Sequence, residues 1–571
     1  MQAADGTDSN HVENVPDERS TISSQEAAFA SNSLISLLLD VAVNSATFKI
    51  NYMKNIFNSI KLPRVGSNRF DLSHDVKMSF KMGCLVPTCV MDVVPGDKIN
   101  ISVQNMLRFA PLISPVMHKV NVTTHYFFVP NRILWSNWEK WITGDLDVEP
   151  PYTLSDGTLN TGTLGDYLGY PSGPGNNAPS NTKLSAFPAA AYMKIYDEYY
   201  RDQNLQTERF VPLQDAGDTT NQDIWYDVLD IDPLKRAWQH DYFTSALPWA
   251  QKGDAVSLPL LNNDTAPVQY VNGPNPTIIR DGGGSPAGAA TLETNSSGEL
   301  EQSGFARDID PNGNLEVDIN SEAADINTLR RAFKLQEWLE RNARGGTRYI
   351  ENILAHFGVR SSDARLQRPE YIGGDRQNMV ISEVLSTAET LDAGEIQTPV
   401  GNMAGHGISV GGGNNFSYRA EEHGWIIGIV NVQPVTAYQT GVHRMYTRED
   451  RLDYFWPSFA NIGEQAIKNK ELYLTGLTLA ELEETFGYVP RYSEYKFMNS
   501  RVAGDMKTTL DHWHMARKFS AQPVLNSSFV EADPTTRIFA VTDPDVHHIY
   551  AHIFNRISAV RKMPKYGIPS F

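Results

Sequence analysis

Strand-type patterning concentrates toward the two ends of this 571-residue chain, with a long mixed stretch between them. Ile99, Ile101 and Val103 alternate with Asn100, Ser102 and Gln104, the period of two that buries one face of a strand. Before them, Lys77 to Val94 is apolar and ends in the turn signal Pro95-Gly96-Asp97; after them, Val120 to Val129 is β-branched and aromatic up to Pro130. Strand signals return at Trp425 to Val432, Arg537 to Val541 and His548 to Val560, where Ile549, Ala551, Ile553, Ile557 and Ala559 share a face. Strands at both ends predict one antiparallel sandwich closed by N- and C-terminal strands. Alternating βαβ units are absent, which argues against a doubly wound parallel sheet.

The middle reads differently. Helices are predicted after Pro130, where Leu134, Trp138, Trp141 and Ile142 fall at helical spacing, and at about 189–202, 325–343 and 348–357. Residues 251–325 hold nine Gly and six Pro, in clusters such as DGGGSP, and read as a long loop. The chain therefore divides into an arm, 1–60, partly disordered and with a weak helical pattern from Leu34; first strands, 61–142; long insertions, 143–424; and remaining strands with a basic tail, 425–571.

Several classes are excluded early. The apolar stretch Leu34 to Val43 is about half the length of a membrane span and contains Asp40, and the acidic first residues do not resemble a secretory signal. Two cysteines, Cys84 and Cys89, rule out a disulfide framework; five apart on a strand, they point to opposite faces and read as small core residues. The formal charge of -18 argues against a dedicated nucleic-acid binder. That charge is uneven, however: -6 falls on residues 1–40 and -9 on 251–325, leaving the rest nearly neutral. Residues 41–70 and 546–571 contain no acid at all and are basic.

Short motifs yield no catalytic centre. Gly407-Ile408-Ser409-Val410-Gly411 matches a nucleophile elbow, but Gly412, Gly413, Asn414 and Asn415 cannot start the helix that motif needs, so a glycine-rich loop is predicted. His512, His514, His547, His548 and His552 invite a metal site, yet structural or stacking histidines are the commoner reading. No cofactor is predicted. The tryptophans Trp135, Trp138, Trp141, Trp425, Trp456 and Trp513 suit core and subunit packing better than sugar or base stacking.

Longer stretches carry a resemblance. FDLSHDVKMSFKMGCLVP (70–87), VVPGDKINI (93–101) and MLRFAPLISPVMHKVNVTTHYFFVPNRILWSNWEKWITG (106–144) resemble the major capsid protein of the Microviridae, small single-stranded DNA bacteriophages, and the gokushovirus branch in particular. HDYFTSALPWAQKG (240–253), 329–374, GNMAGHG (401–407), EHGWIIGIVNVQP (422–434), FGYVPRYSEYK (486–496) and DHWHMAR (511–517) continue it. The arm at 1–60 is longer than in that branch, and 251–325 finds no match. The resemblance implies an eight-stranded antiparallel jelly roll with long insertions of helices and loops. It implies a T=1 icosahedral shell of sixty copies enclosing circular single-stranded DNA, built in the bacterial host cytoplasm. An insertion would project outward for host attachment, a role for which 251–325 is the candidate. Partners so implied are the chain itself, the packaged DNA, a small basic DNA-binding protein, an internal scaffolding protein, a DNA pilot protein and a host surface receptor. A receptor-binding β-sandwich adhesin and a hydrolase built on Ser409 are the competing readings.

Sixty subunits at -18 each would carry roughly a thousand negative charges of the same sign as the DNA, and bulk attraction cannot act beyond a Debye length of about 8 Å. The acid-free segments must then supply local cations. Lys49, Lys54, Arg64, Arg69, Arg561 and Lys562 are the candidate phosphate contacts, with Tyr52, Phe57 and Tyr566 among them for base stacking. The competing reading of these bases is that they bridge neighbouring subunits.

Overall fold

The computed structural model describes residues 66–566, apart from 155–158, 177, 216–224, 388–389, 393–394, 399 and most of 255–325. Ten strands build two antiparallel sheets: β1 (Asn68–Asp71), β2 (His74–Phe80), β3 (Val86–Val93), β4 (Lys98–Phe109), β5 (Val120–Pro130), β6 (Glu370–Asn378), β7 (Val380–Leu385), β8 (Met403–Arg419), β9 (Gly424–Pro434) and β10 (Ile549–Arg561). The first sheet runs β1-β10-β4-β8-β7, with β2 also paired to β10; the second runs β6-β5-β9-β3. The chain is thus mainly β and antiparallel.

The alternation in β4 does what its pattern demands. Ile99, Ile101, Val103 and Leu107 are fully buried, and Lys98, Gln104 and Arg108 face solvent. Opposite them, Ile553, Ile557 and Ala559 of β10 are equally buried, and Val122, Phe128, Ile426 and Val430 of the second sheet complete one shared core. Each such aliphatic side chain contributes about 1.5–3 kcal/mol on burial. Strands β5 and β9 are buried on both faces, which explains the apolar runs Tyr126–Pro130 and Trp425–Val430 within them. Their second face, with Phe127, Val129, Ile427 and Ile429, packs on Trp135 and on helix α1 (Phe187–Ile195). The last turn of the predicted 189–202 helix widens into a π-helix, Tyr196–Tyr200. Helices α2 (Ile326–Arg344) and α3 (Tyr349–Phe357) form where predicted, and two short helices, Asn131–Leu134 and Trp138–Thr143, follow Pro130.

Three expectations change. The glycine-rich run at 407–413 is no loop: it lies inside the 17-residue strand β8, which pairs with β4 and β7. A register shift between Gly412 and Asn415 absorbs the glycines, with Gly412 and Gly413 at φ +131° and +130°. Residues 537–541 form turns, and Phe539 makes only an isolated bridge to Leu112. Arg537 is held there by the carbonyls of Asp511, His514 and Ala516. Finally, the stretch read as insertions supplies β6, β7 and β8 to the two main sheets. Within 251–325, the described segments make short antiparallel ladders, among them Glu293–Thr294, Leu300–Gln302, Phe305–Asp308 and Ile279–Arg280 in that order.

Candidate nucleic-acid interface

Because β5 and β9 are covered on both sides, the large exposed sheet surface is the outer face of the first sheet. Register fixes what it presents. Arg69 of β1 lies opposite Val560 of β10, Val560 opposite Lys98 of β4, and Lys98 opposite Arg419 of β8. Three cations therefore stand in one transverse row, and four strands at about 4.8 Å spacing give that row a width of roughly 14 Å. Lys98 and Arg419 make no ion pair among the described residues. Arg69 is steadied by its Nε, which donates to Ser558 Oγ at 2.6 Å. Further along the face Arg556 stands opposite Ser102, and Arg108 opposite Tyr550.

Acids interrupt the face nearer its middle. Asp75 lies 2.5 Å from Lys77 Nζ and 3.0 Å from His552 Nε2. Those hydrogen bonds, that to Lys77 first, hold its carboxyl down at about 2. Asp71 is likewise held below its ordinary value, chiefly by the Ser73 hydroxyl. The cationic character is thus strongest at the end of the sheet where β1, the start of β4 and the end of β8 meet.

Of the six candidate contacts, Lys49, Lys54 and Arg64 lie outside the described residues, as do Tyr52 and Phe57. Arg69 and Lys562 are exposed, and the Lys562 stem lies over Gly96 in the β3–β4 turn. Arg561 is turned inward. Its Nε sits 2.9 Å from Oδ2 of the fully buried Asp97, and its second guanidinium nitrogen donates to the Asp92 carbonyl at 2.8 Å. It pins the β3–β4 turn to β10 and so positions the row beside it. Tyr566 is exposed, with Lys565 Nζ 5.9 Å from its ring centroid.

The sequence reading missed Lys98 and Arg419. Lys98 was recoverable, since Ile99 inward puts it outward. Arg419 was not, because the glycine-rich run 407–413 inside β8 carries no alternation that would assign Arg419 a face.

The other motifs take structural places. Ser409 is buried in mid-strand and donates to the Asn378 carbonyl at 3.1 Å, far from any strand-to-helix turn. His514 Nε2 and His548 Nε2 each meet a backbone carbonyl at 2.8 Å, and His548 stacks on Phe539 at 4.3 Å. Among the described residues, no three His, Cys, Asp or Glu are grouped to hold a metal ion. Cys84 and Cys89 are free and buried, and burial pushes both thiols up to about 12.

A family model described as capsid protein (F protein) matches residues 58–571. The chain is 36% identical over 549 residues to capsid protein VP1 of Bdellovibrio phage phiMH2K, covering 91% of this chain and 99% of that protein. It is 32% identical over 597 residues to capsid protein VP1 of Chlamydia phage 1, covering 90% and 98% respectively. Against capsid protein VP1 of Spiroplasma virus 4 it is 30% identical over 559 residues, covering 91% and 98%.

Proposed function

The chain belongs to the capsid protein (F protein) family and is a structural, non-enzymatic virion component; from that premise we propose that it is the major shell protein of a small single-stranded DNA bacteriophage of the Microviridae type. The observation that carries this is identity of 30–36% with three capsid proteins along nine-tenths of the chain. Sixty copies form a T=1 icosahedral shell around a circular genome.

Strand order supports an eight-stranded jelly roll. Strands β2-β10-β4-β8 and β3-β9-β5-β6 make two four-stranded sheets; among these eight, successive strands change sheets except β5 to β6, and β1 and β7 extend the first sheet. Residues 251–325, with their -9 charge, face outward and meet the host receptor. The row Arg69, Lys98 and Arg419, with Lys562, faces inward and takes DNA phosphates, as do Lys49 and Lys54 of the arm and Arg64 just after it. Arg561 holds the turn that sets the row. A small basic protein supplies the remaining neutralisation, and scaffolding and pilot proteins join during assembly.

Negative-stain imaging of the expressed chain, alone and with the phage's other proteins, tests the shell. Closed particles of one size are expected; a persistent monomer under both conditions refutes the reading. Amine labelling of intact virions tests the inner wall. Lys98 and Lys562 should react at least tenfold more slowly in particles than in dissociated subunits, and equal rates would put them outside.

A further inference from the structure

A second surface, built by residues 444–462 and 491–498, is unlike a solvated face. Tyr446, Tyr454, Phe455, Trp456, Tyr495 and Met498 are each between 49 and 67% exposed. Taking about half of each side chain's area, they present roughly 600 Å² of largely apolar surface. That reaches the top of the range for the largest apolar patch of a soluble monomer, about 300–600 Å², and is about three-quarters of the roughly 800 Å² on one side of a standard protein interface.

Exposed though they are, four of these rings are held: those of Tyr454, Phe455, Trp456 and Tyr495. The Phe455 amide donates to the Tyr495 hydroxyl at 3.2 Å, and Trp456 Nε1 donates to the Arg451 carbonyl at 2.9 Å. The Arg448 guanidinium lies 4.3 Å from the Tyr495 ring centroid and 5.1 Å from that of Tyr454. Phe455 packs edge-on against Tyr492 at 5.1 Å. Rigid aromatic and arginine side chains that have already lost their rotamer freedom are the residue types that dominate binding at interfaces.

Beside the patch a cavity of about 520 Å³ opens to solvent, with Met445, Tyr446 and Met498 on its wall. Two polar atoms of its lining, Gln439 Oε1 and Asn499 Oδ1, are buried without a hydrogen-bond partner. A cavity of this kind receives an anchoring side chain that is part apolar and part hydrogen-bond donor.

Charge chooses the occupant. Residues 444–462 and 491–498 contain five bases and four acids, a net +1 on a chain of -18. A face so nearly neutral has no field to collect phosphates, which weighs against DNA. It does permit approach of another strongly acidic chain, and a member of a capsid family must meet other copies of itself. We propose that this aromatic–arginine surface, with its adjoining cavity, is a contact between copies of the chain in the shell, the cavity taking an anchor from the neighbouring copy.

The inference rests on the shell reading, and the experiment separates the two. A photo-reactive phenylalanine analogue is placed at position 498, and the particles are purified by sedimentation and irradiated. The expected product is a covalent dimer of the chain. In the same particles Trp456 and Tyr495 should be oxidised by hydroxyl radicals at least tenfold more slowly than in dissociated subunits. Particles that form but yield an adduct to DNA, an adduct to another protein, or no adduct overturn the contact and leave the shell intact. If the analogue blocks assembly, the footprint of unmodified particles decides: equal oxidation in particles and subunits overturns the contact. Absence of particles from the unmodified chain with all its partners would instead overturn the shell.

Discussion

The hydroxyl of Tyr126 donates to Asn555 Oδ1 at 2.6 Å, with both residues fully buried and one on each sheet. Asn555 in turn donates to the Thr88 carbonyl at 2.8 Å, so one polar chain crosses the core from β5 through β10 to β3. Buried hydrogen bonds of this kind add modestly when made and cost more when half is removed.

Tyr126→Phe should therefore destabilise the folded subunit by about 1–3 kcal/mol, because Asn555 Oδ1 is left unsatisfied. Urea unfolding of the soluble subunit measures this. An unchanged midpoint would show that the bond contributes nothing.

Asp97 and Arg561 form a second long-range pair, with the carboxylate wholly buried. Arg561→Met should cost about 3–5 kcal/mol, since it strands that charge. Adding Asp97→Asn should recover part of the loss, as no buried charge then remains. A thermal melt of the two variants is enough: a double variant no more stable than Arg561→Met contradicts the pairing.

His125 gives a pH dependence. Burial, aided by the nearby Arg236 cation, pushes its imidazole down to about 4, and its Nδ1 lies 2.9 Å from the Tyr200 hydroxyl, which the neutral ring can accept. Its folded value is below its unfolded one, near 6.5. Stability is therefore full above pH 6.5 and is lost as pH falls toward 4, by about 3 kcal/mol from this group alone. His118 and His547 are shifted down by burial too and act in the same direction. His125→Gln should flatten the stability profile between pH 6.5 and 4; an unchanged slope would clear His125 of the effect.

The β8 irregularity separates two neighbouring glycines. A Cβ at Gly412 would lie 2.2 Å from the Val103 carbonyl oxygen, while one at Gly413 would meet nothing within 4 Å. Both have left-handed φ, so each alanine costs about 1–2 kcal/mol of backbone strain. Only Gly412→Ala should add a steric loss on top. Equal unfolding midpoints for the two variants would disprove the close approach.

How far the sequence could be read follows from which side chains carried a period. The inward faces of β4 and β10 were legible because isoleucines and alanines alternate with polar residues on a half-exposed sheet. Strand β8 was not, since Gly405, Gly407, Gly411, Gly412 and Gly413 leave no alternation to see. Their need is tertiary: a Cβ at Gly405 would strike the Ser114 carbonyl oxygen, and one at Gly407 the Phe109 ring. Losing β8 also lost Arg419, and with it the cationic row. The bases of 546–571 were visible as a cluster, but that Arg561 would spend its charge on Asp97 is set by a turn 464 residues earlier, which no local pattern announces.

Strand β10 lies between β1 or β2 on one side and β4 on the other, so the first sheet has a vacancy at its centre until some 440 residues after β4 have been made. At about 5–20 residues per second, the early strands wait roughly 20–90 s on the ribosome with unpaired edges. A chain broken off before β10 cannot close its core. Folding thereby acts as a proofreading step on translation, withholding incomplete polypeptides from any particle in which one defective position would leave a hole.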